Sequence, residues 1–436
     1  MFTESSLLEA YIPRSCGSPP PINRLRMPSI PLISPDLLRR QTSGGGFLPV
    51  VDGLRFVAIG WVFVFHVAGW VANRVYGVKG QLWSIPSSEL GPLSPIASIA
   101  SVGFFGVQLF FAISGFVLAL PFCRARLDPS RSAAPPHLGS YFLRRITRLE
   151  PPYVVNILFC AAWALASSGE ASREVLASAA ASLVYMHSLL MPEARMLNSV
   201  AWSLEIEARF YVIAPALAAV FLLRRVVIRR ACIAVGIVIC CLLQDVYRAH
   251  LCYGHSIVNQ GQYFLVGFLL ADLYVTRWAA ESGSRAWDVL GIAAWVALVS
   301  FVVAAVRSDA RSHGPAVHLI ACAAMFFAYA GAFRGCLLSR FFSIPAIYVI
   351  GGMCYTIYLW HYLLIGAFGK IVADRLSTGI LAVDVVAYSV AFAALSAPLL
   401  VLMFVLIERP CMDKDWPTKL WRIVRSAKVN AGRGSS

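Results

Sequence analysis

The chain carries eleven apolar stretches long enough to be read as bilayer-spanning helices, and this succession restricts its fold more than any other feature. They lie at roughly 50–72, 101–122, 151–168, 175–191, 200–223, 231–247, 261–276, 287–306, 316–333, 344–367 and 381–407. A helix needs about 20 mostly apolar residues to cross the hydrocarbon core. Within lipid, every backbone polar group must find its partner inside the segment. Composition agrees, with 59% hydrophobic and only 14% charged residues in 436, where a soluble domain carries about 25% charge. The expected fold class is therefore all-α, a polytopic membrane helical bundle. A soluble multidomain architecture is excluded.

The net charge of +15 would suggest a nucleic-acid partner in a soluble protein. Here its distribution gives another meaning. Arg124, Arg126, Arg131, Arg144, Arg145 and Arg148 share the 123–150 loop, Arg224, Arg225, Arg229 and Arg230 share the 224–230 loop, and seven basic residues follow Glu408. Basic loops stay on the cytoplasmic side. All three can do so only if one stretch between 151 and 191 fails to cross. The weakest is 175–191, which is short, rich in Ala and Ser, and contains His187. It reads as an interfacial or re-entrant piece on the outer side. About ten spans remain, with both termini cytoplasmic, 26 basic residues inside and 9 outside. No nucleic-acid partner is needed.

Residues 1–46 are rich in Pro, Ser and Gly without an apolar period, and are expected to be a disordered cytoplasmic segment. Residues 47–412 form the membrane domain, and 413–436 a basic cytoplasmic tail. The first span is expected to act as an uncleaved signal-anchor. The 11 cysteines include no CxxC pair, so neither a metal site nor a disulfide framework is expected.

Ionisable side chains at membrane depth are costly and mark function or pairing. Arg55 and His66 are eleven residues apart. On a helix that puts them on one face, about 16 Å apart along the axis. Asp52 and Arg55 form an i,i+3 pair on that face. Arg145 and Arg148 lie one turn apart at the cytoplasmic surface, a spacing that suits phosphate and equally suits anchoring. In Trp202-Ser203-Leu204-Glu205-Ile206-Glu207-Ala208-Arg209, Glu205 and Arg209 are i,i+4 and expected to pair, leaving Glu207 on another face. Tyr355, Tyr358 and His361 form a stripe in the span 344–367, although an aromatic belt would explain the tyrosines too. Glu408-Arg409-Pro410 reads as a helix stop.

In this order, the motifs resemble the acyltransferase-3 family of membrane acyltransferases. The resemblance rests on Arg55 and His66 with ten residues between them, Gly106–Phe116, Arg145 and Arg148, Trp202–Glu207, Tyr355–His361 with Thr356 in place of Ser, and Glu408–Pro410. It covers about residues 48–412. Gln108 stands where many relatives have Asp. Only 26 residues follow Pro410, so the stand-alone form is expected, without an appended esterase-like domain.

The resemblance implies transfer of an acyl group, usually acetyl, from a cytoplasmic acyl-CoA to an acceptor hydroxyl, with no tightly bound cofactor. Arg55, Arg145 and Arg148 would receive the donor's phosphates. His66 would be the general base, or carry the acyl group in an acyl-histidine variant. Glu207 would orient acceptor or imidazole, and His361 would be the reserve acid/base. Trp202, Tyr355 and Tyr358 would bind substrate. The expected setting is the bacterial cytoplasmic (inner) membrane, with a cell-surface or lipid-linked glycan as acceptor. Alternatives are acylation of a small molecule such as a macrolide, and a proton-coupled transporter using His66, Glu207 and His361 as a relay.

Overall fold

A computed structural model describes residues 38–40, 47–78, 94–128, 136–167, 171–247, 256–278, 281–307, 314–372, 375–413, 415–419 and 421–422. Most of the expected N-terminal segment and basic tail, and Cys252, lie outside these residues. Among them every regular element is a helix. In chain order these are α1 (Pro49–Arg74), α2 (Ser94–Ser101), α3 (Gly106–Leu127), α4 (Leu138–Ser167), α5 (Ser172–Leu183), α6 (His187–Leu190), α7 (Trp202–Leu217), α8 (Val226–Tyr247), α9 (Ile257–Leu273), α10 (Arg285–Arg307), α11 (Pro315–Arg334), α12 (Cys336–Phe342), α13 (Pro345–Gly352), α14 (Cys354–Val372), α15 (Leu381–Met403) and α16 (Arg409–Cys411). Prolines open α1, α11 and α13, where a missing N–H costs nothing.

Seven stretches are long and apolar enough to cross a membrane: Pro49–Arg74, Gly103–Leu127, Leu138–Ser167, Val226–Gln244, Arg285–Arg307, Pro315–Arg334 and Leu381–Cys411. α13 and α14 make an eighth as a pair, bent by 71°. The other two expected spans are α7 and α9, of 16 and 17 residues, continued by a 3-10 turn at Ala218–Leu222 and a π turn at Tyr274–Trp278. The protein is thus a helical membrane bundle, and ten is an approximate span count. The stretch 175–191 forms only the 12-residue α5 and the 4-residue α6, each too short to cross.

α3 is the centre. In its most apolar window 78% of residues are buried, against 22% for α8, α10 and α15, so α3 packs on protein while those three turn wide faces to lipid. Close approach to α9 depends on Gly115 and Gly267. A Cβ on Gly115 would collide with the carbonyl of Phe264, and one on Gly267 with that of Ala112. Small residues let membrane helices approach in this way.

The bend between α13 and α14 was not legible in the continuous apolar run 344–367. It follows Gly351-Gly352 at Met353 and leaves the first N–H groups of α14 without helical partners. Glu408 accepts from Thr356 N at 3.0 Å and Thr356 Oγ1 at 2.5 Å. Glu408 therefore caps a broken span as well as closing its own helix. Charge is contained similarly elsewhere. Arg229 and Arg230 both pair with buried Asp272, and Asp288 accepts the N–H groups of Cys336, Leu337 and Leu338 at the start of α12. Eight cysteines are free among the described residues and Cys336 is disulfide-bonded.

Candidate active site

At the arginine-rich end of the bundle, α1, α3, α4, α7, the α13–α14 bend and the turn Phe404–Glu408 after α15 line a pocket. Arg40, Arg55, Arg145, Arg148, Glu207 and Glu408 bring charge to it, and Ser114, Ser203, Tyr211, Tyr355 and Tyr358 bring hydroxyls. Val107, Phe110, Phe111, Val117 and Leu118 of α3 form its apolar wall.

Arg55 pairs with Asp52 one turn earlier, as spaced in the sequence, and Arg40 donates to the same carboxylate oxygen at 2.9 Å. Arg145 lies over the rings of Tyr211 and Tyr141, 5.7 and 5.9 Å from their centroids. Neither Arg145 nor Arg148 forms an ion pair among the described residues. The Arg148 Nε is buried without a partner. α4 is tied down on either side of Arg148: Trp416 Nε1 donates to Thr147 O and Tyr355 OH to Leu149 O, both at 2.8 Å. Arg148 is half-buried and shares the pocket with Glu408 without an ion pair to it, which leaves it free to meet an anion from outside.

The two carboxylates of α7 divide as the spacing predicts. Glu205 pairs with Arg209 at 3.1 Å. It also accepts from His187 N, Ser188 N and Ser188 Oγ at 2.8, 3.0 and 2.5 Å, which fastens the non-crossing α5–α6 segment to the bundle. Glu207 turns to the pocket and accepts from Ser114 Oγ at 2.6 Å.

The histidines lie elsewhere. His66 and His361 are neighbours, with ring centroids 5.1 Å apart, and His66 is equally close to the ring of Tyr362. Neither lines the pocket. The Tyr358 ring lines the pocket and lies 5.8 Å from that of His361. Its hydroxyl is held by Ser203 Oγ at 2.7 Å and Val200 O at 2.8 Å. His361 is fully buried. Its Nδ1 faces the carbonyls of Tyr358 and Ile357 at 2.7 and 3.0 Å. Two acceptors require that nitrogen to carry the proton, leaving Nε2 as a bare lone pair, and that atom has no partner. Asn156 and Asn198 both donate to the carbonyl of Leu359, at 3.1 and 3.0 Å, fixing this part of α14.

Of the site residues expected from sequence, Arg55, Arg145, Arg148, Glu207, Tyr355 and Tyr358 meet in one pocket. His66 and His361 meet each other beyond it. Trp202 joins neither group and packs edge-on against Phe111, 6.5 Å between centroids. Sequence reasoning missed Ser114, Tyr211, Glu408 and Arg40. A carboxylate closing an apolar span was an available signal for Glu408. Nothing in the local sequence marked Arg40.

Fold and site together define a polytopic membrane protein with a cationic pocket and a histidine pair on its spanning helices. The chain belongs to the acyltransferase-3 family, whose model, described as an acyltransferase domain, matches residues 48–408. Among curated proteins it is similar to the O-acetyltransferase OatA of Staphylococcus aureus strain NCTC 8325, 24% identical over 336 residues, covering 72% of this chain and 50% of the relative. It is also similar to the putative O-acetyltransferase SACOL0978 of Staphylococcus aureus strain COL, 23% identical over 348 residues, covering 73% and 51%. The chain thus spans about half the length of the curated relatives it matches. No solved structure matches it.

Proposed function

We propose that the protein is a membrane O-acyltransferase that takes an acyl group, normally acetyl, from a cytoplasmic acyl-CoA and passes it to a hydroxyl of a cell-surface or lipid-linked glycan. The observation that carries this reading is the convergence of Arg55, Arg145 and Arg148 with Glu207 in a single pocket, Arg145 and Arg148 forming no ion pair among the described residues. The names of the relatives support an oxygen acceptor and an acetyl group.

In this reading the arginine-rich end faces the cytoplasm of a bacterium, in its inner membrane, with both termini on that side. The donor's phosphates meet Arg145, Arg148 and Arg55, and its thioester extends towards Tyr358. His66 removes the proton from the acceptor hydroxyl as its oxygen attacks the thioester carbonyl. The new C–O bond forms, the C–S bond breaks, and the departing thiolate takes up a proton. His361, its Nδ1 proton held by backbone carbonyls, offers a second acceptor nitrogen beside His66. Glu207 orients the reacting groups from the pocket side. Tyr355 acts by holding α14 to α4.

The test is direct. Purified protein receives acetyl-CoA labelled in the acetyl group together with an envelope extract. The expected result is base-labile label in glycan or lipid-linked material. Label no higher than with His66→Ala would sink the proposal.

A further inference from the structure

Arg40 precedes the first span and belongs to none of the motifs that identify the family, yet its side chain lies inside the pocket. Three neighbouring contacts hold it there. Leu38 packs into an apolar cluster with Met353, Phe404 and Met412. Arg39 lies over the ring of Phe47, 4.7 Å from its centroid. Gly352 faces the Arg40 backbone so closely that a Cβ would come within 3.3 Å of the Arg40 Cβ. The α13–α14 bend thus provides both the apolar seat for Leu38 and the space for Arg40.

The electrostatics are unbalanced. Arg40 and Arg55 share one oxygen of Asp52, so a single carboxylate serves two guanidiniums. The Arg40 side chain is only 11% exposed, and its Nε is buried without a partner. Burial, and then the charge of Arg55, loosen its hold on its proton, while Asp52 opposes them. Arg145 and Arg148 add two more cations and Glu207 and Glu408 two carboxylates, so with Asp52 four guanidiniums face three carboxylates around the pocket. The cation left over favours an anion supplied from outside.

We infer that Arg40 is a fourth phosphate-binding residue of the donor pocket, delivered by the segment that precedes the first helix. The inference rests on the acyl-CoA reading above. It adds that donor affinity depends on residues outside the membrane domain proper, and that the Leu38 anchor sets where the guanidinium sits.

The experiment measures CoA binding to the purified full chain by calorimetry over a series of salt concentrations. The variants are Arg148→Ala, Arg40→Ala, Arg40→Gln, Arg40→Lys and, as a control for surface charge, the exposed Arg144→Ala. Arg40→Gln retains a hydrogen-bond donor towards Asp52 without the charge, which guards against a misfolded Arg40→Ala. The expected result is about a tenfold rise in Kd for Arg40→Gln, comparable to Arg148→Ala, with partial recovery in Arg40→Lys and no change in Arg144→Ala. The salt dependence of Kd is expected to become shallower in Arg40→Gln, which a purely structural role would not produce. Wild-type affinity and salt dependence in Arg40→Gln, with weakened binding in Arg148→Ala, would overturn the inference and leave the donor reading standing. Wild-type protein that does not bind CoA would overturn both.

Discussion

The arginine pocket and the histidine pair both border the Tyr358 ring, and they are built in opposite ways. In the pocket, charge is abundant and partly neutralised. Asp52 serves Arg40 and Arg55, and Ser114 holds Glu207. At the histidine pair, His66 packs among Phe65, Tyr362 and His361, and the one unpartnered nitrogen of His361 faces no charged group it bonds to. A site with fixed cations suits ground-state binding of an anion. A site with bare imidazole nitrogens suits proton transfer, where a strong standing partner would oppose the change of protonation. The Arg-to-His spacing on α1 links the two: one helix carries both Arg55 and His66 and sets the distance between them.

The comparison breaks most readily at His66. His66→Gln can hydrogen-bond but cannot take the proton, so transfer is expected to fall by roughly 10²–10⁴ with CoA affinity unchanged. Single-turnover assays at matched protein levels would check this, and near-normal acylation would move the base role to His361. Next is Glu205→Gln, which leaves Arg209 and the backbone of His187 and Ser188 without their carboxylate. Breaking a buried pair costs about 3–5 kcal/mol, so thermal unfolding in detergent should show a large loss of stability. Glu207→Gln, two residues on, should unfold like wild type and lose turnover; the reverse result would exchange the roles of the two carboxylates. Arg145→Ala and Arg148→Ala each remove a charge-assisted contact of roughly 1.5–3 kcal/mol. Steady-state kinetics should show a higher KM for donor and little change in acceptor KM, and the opposite split would point to acceptor binding. The smallest effect is expected from Tyr358→Phe, which frees the ring from Ser203 and Val200 at a cost of about 0.5–1.5 kcal/mol. A change in kcat beyond about tenfold would mean that the hydroxyl takes part in the chemistry.

Side chains governed by helical spacing were legible in the sequence. Asp52 with Arg55, and Glu205 with Arg209, pair as their separations require, and Glu207 is left facing the pocket as a result. The apolar runs gave the helical membrane class, and the basic loops together with its short Ala/Ser-rich composition singled out 175–191, which forms only short helices. Features decided by contacts between distant segments were not legible. The bend at Met353 is stabilised by Glu408, 52 positions away from Thr356 in sequence, so no local pattern could reveal it. Arg40 gains its position from Leu38, Gly352 and Asp52, and in its own neighbourhood it is one polar residue among many. A stripe of Tyr355, Tyr358 and His361 gives their order along α14 but not which of them the pocket reaches.

The capping of Thr356 by Glu408 has a consequence for biogenesis. The pocket draws on side chains from residue 40 to residue 408, so its first and last contributors are separated by nearly the whole length of translation. Until the final span is inserted, the N–H groups at the start of α14 lack their acceptor, and the wall bearing Tyr355 and Tyr358 has nothing to fix its angle. A ribosome stalled between residues 361 and 408 therefore leaves a membrane-embedded chain that carries all four arginines and both histidines but no assembled pocket.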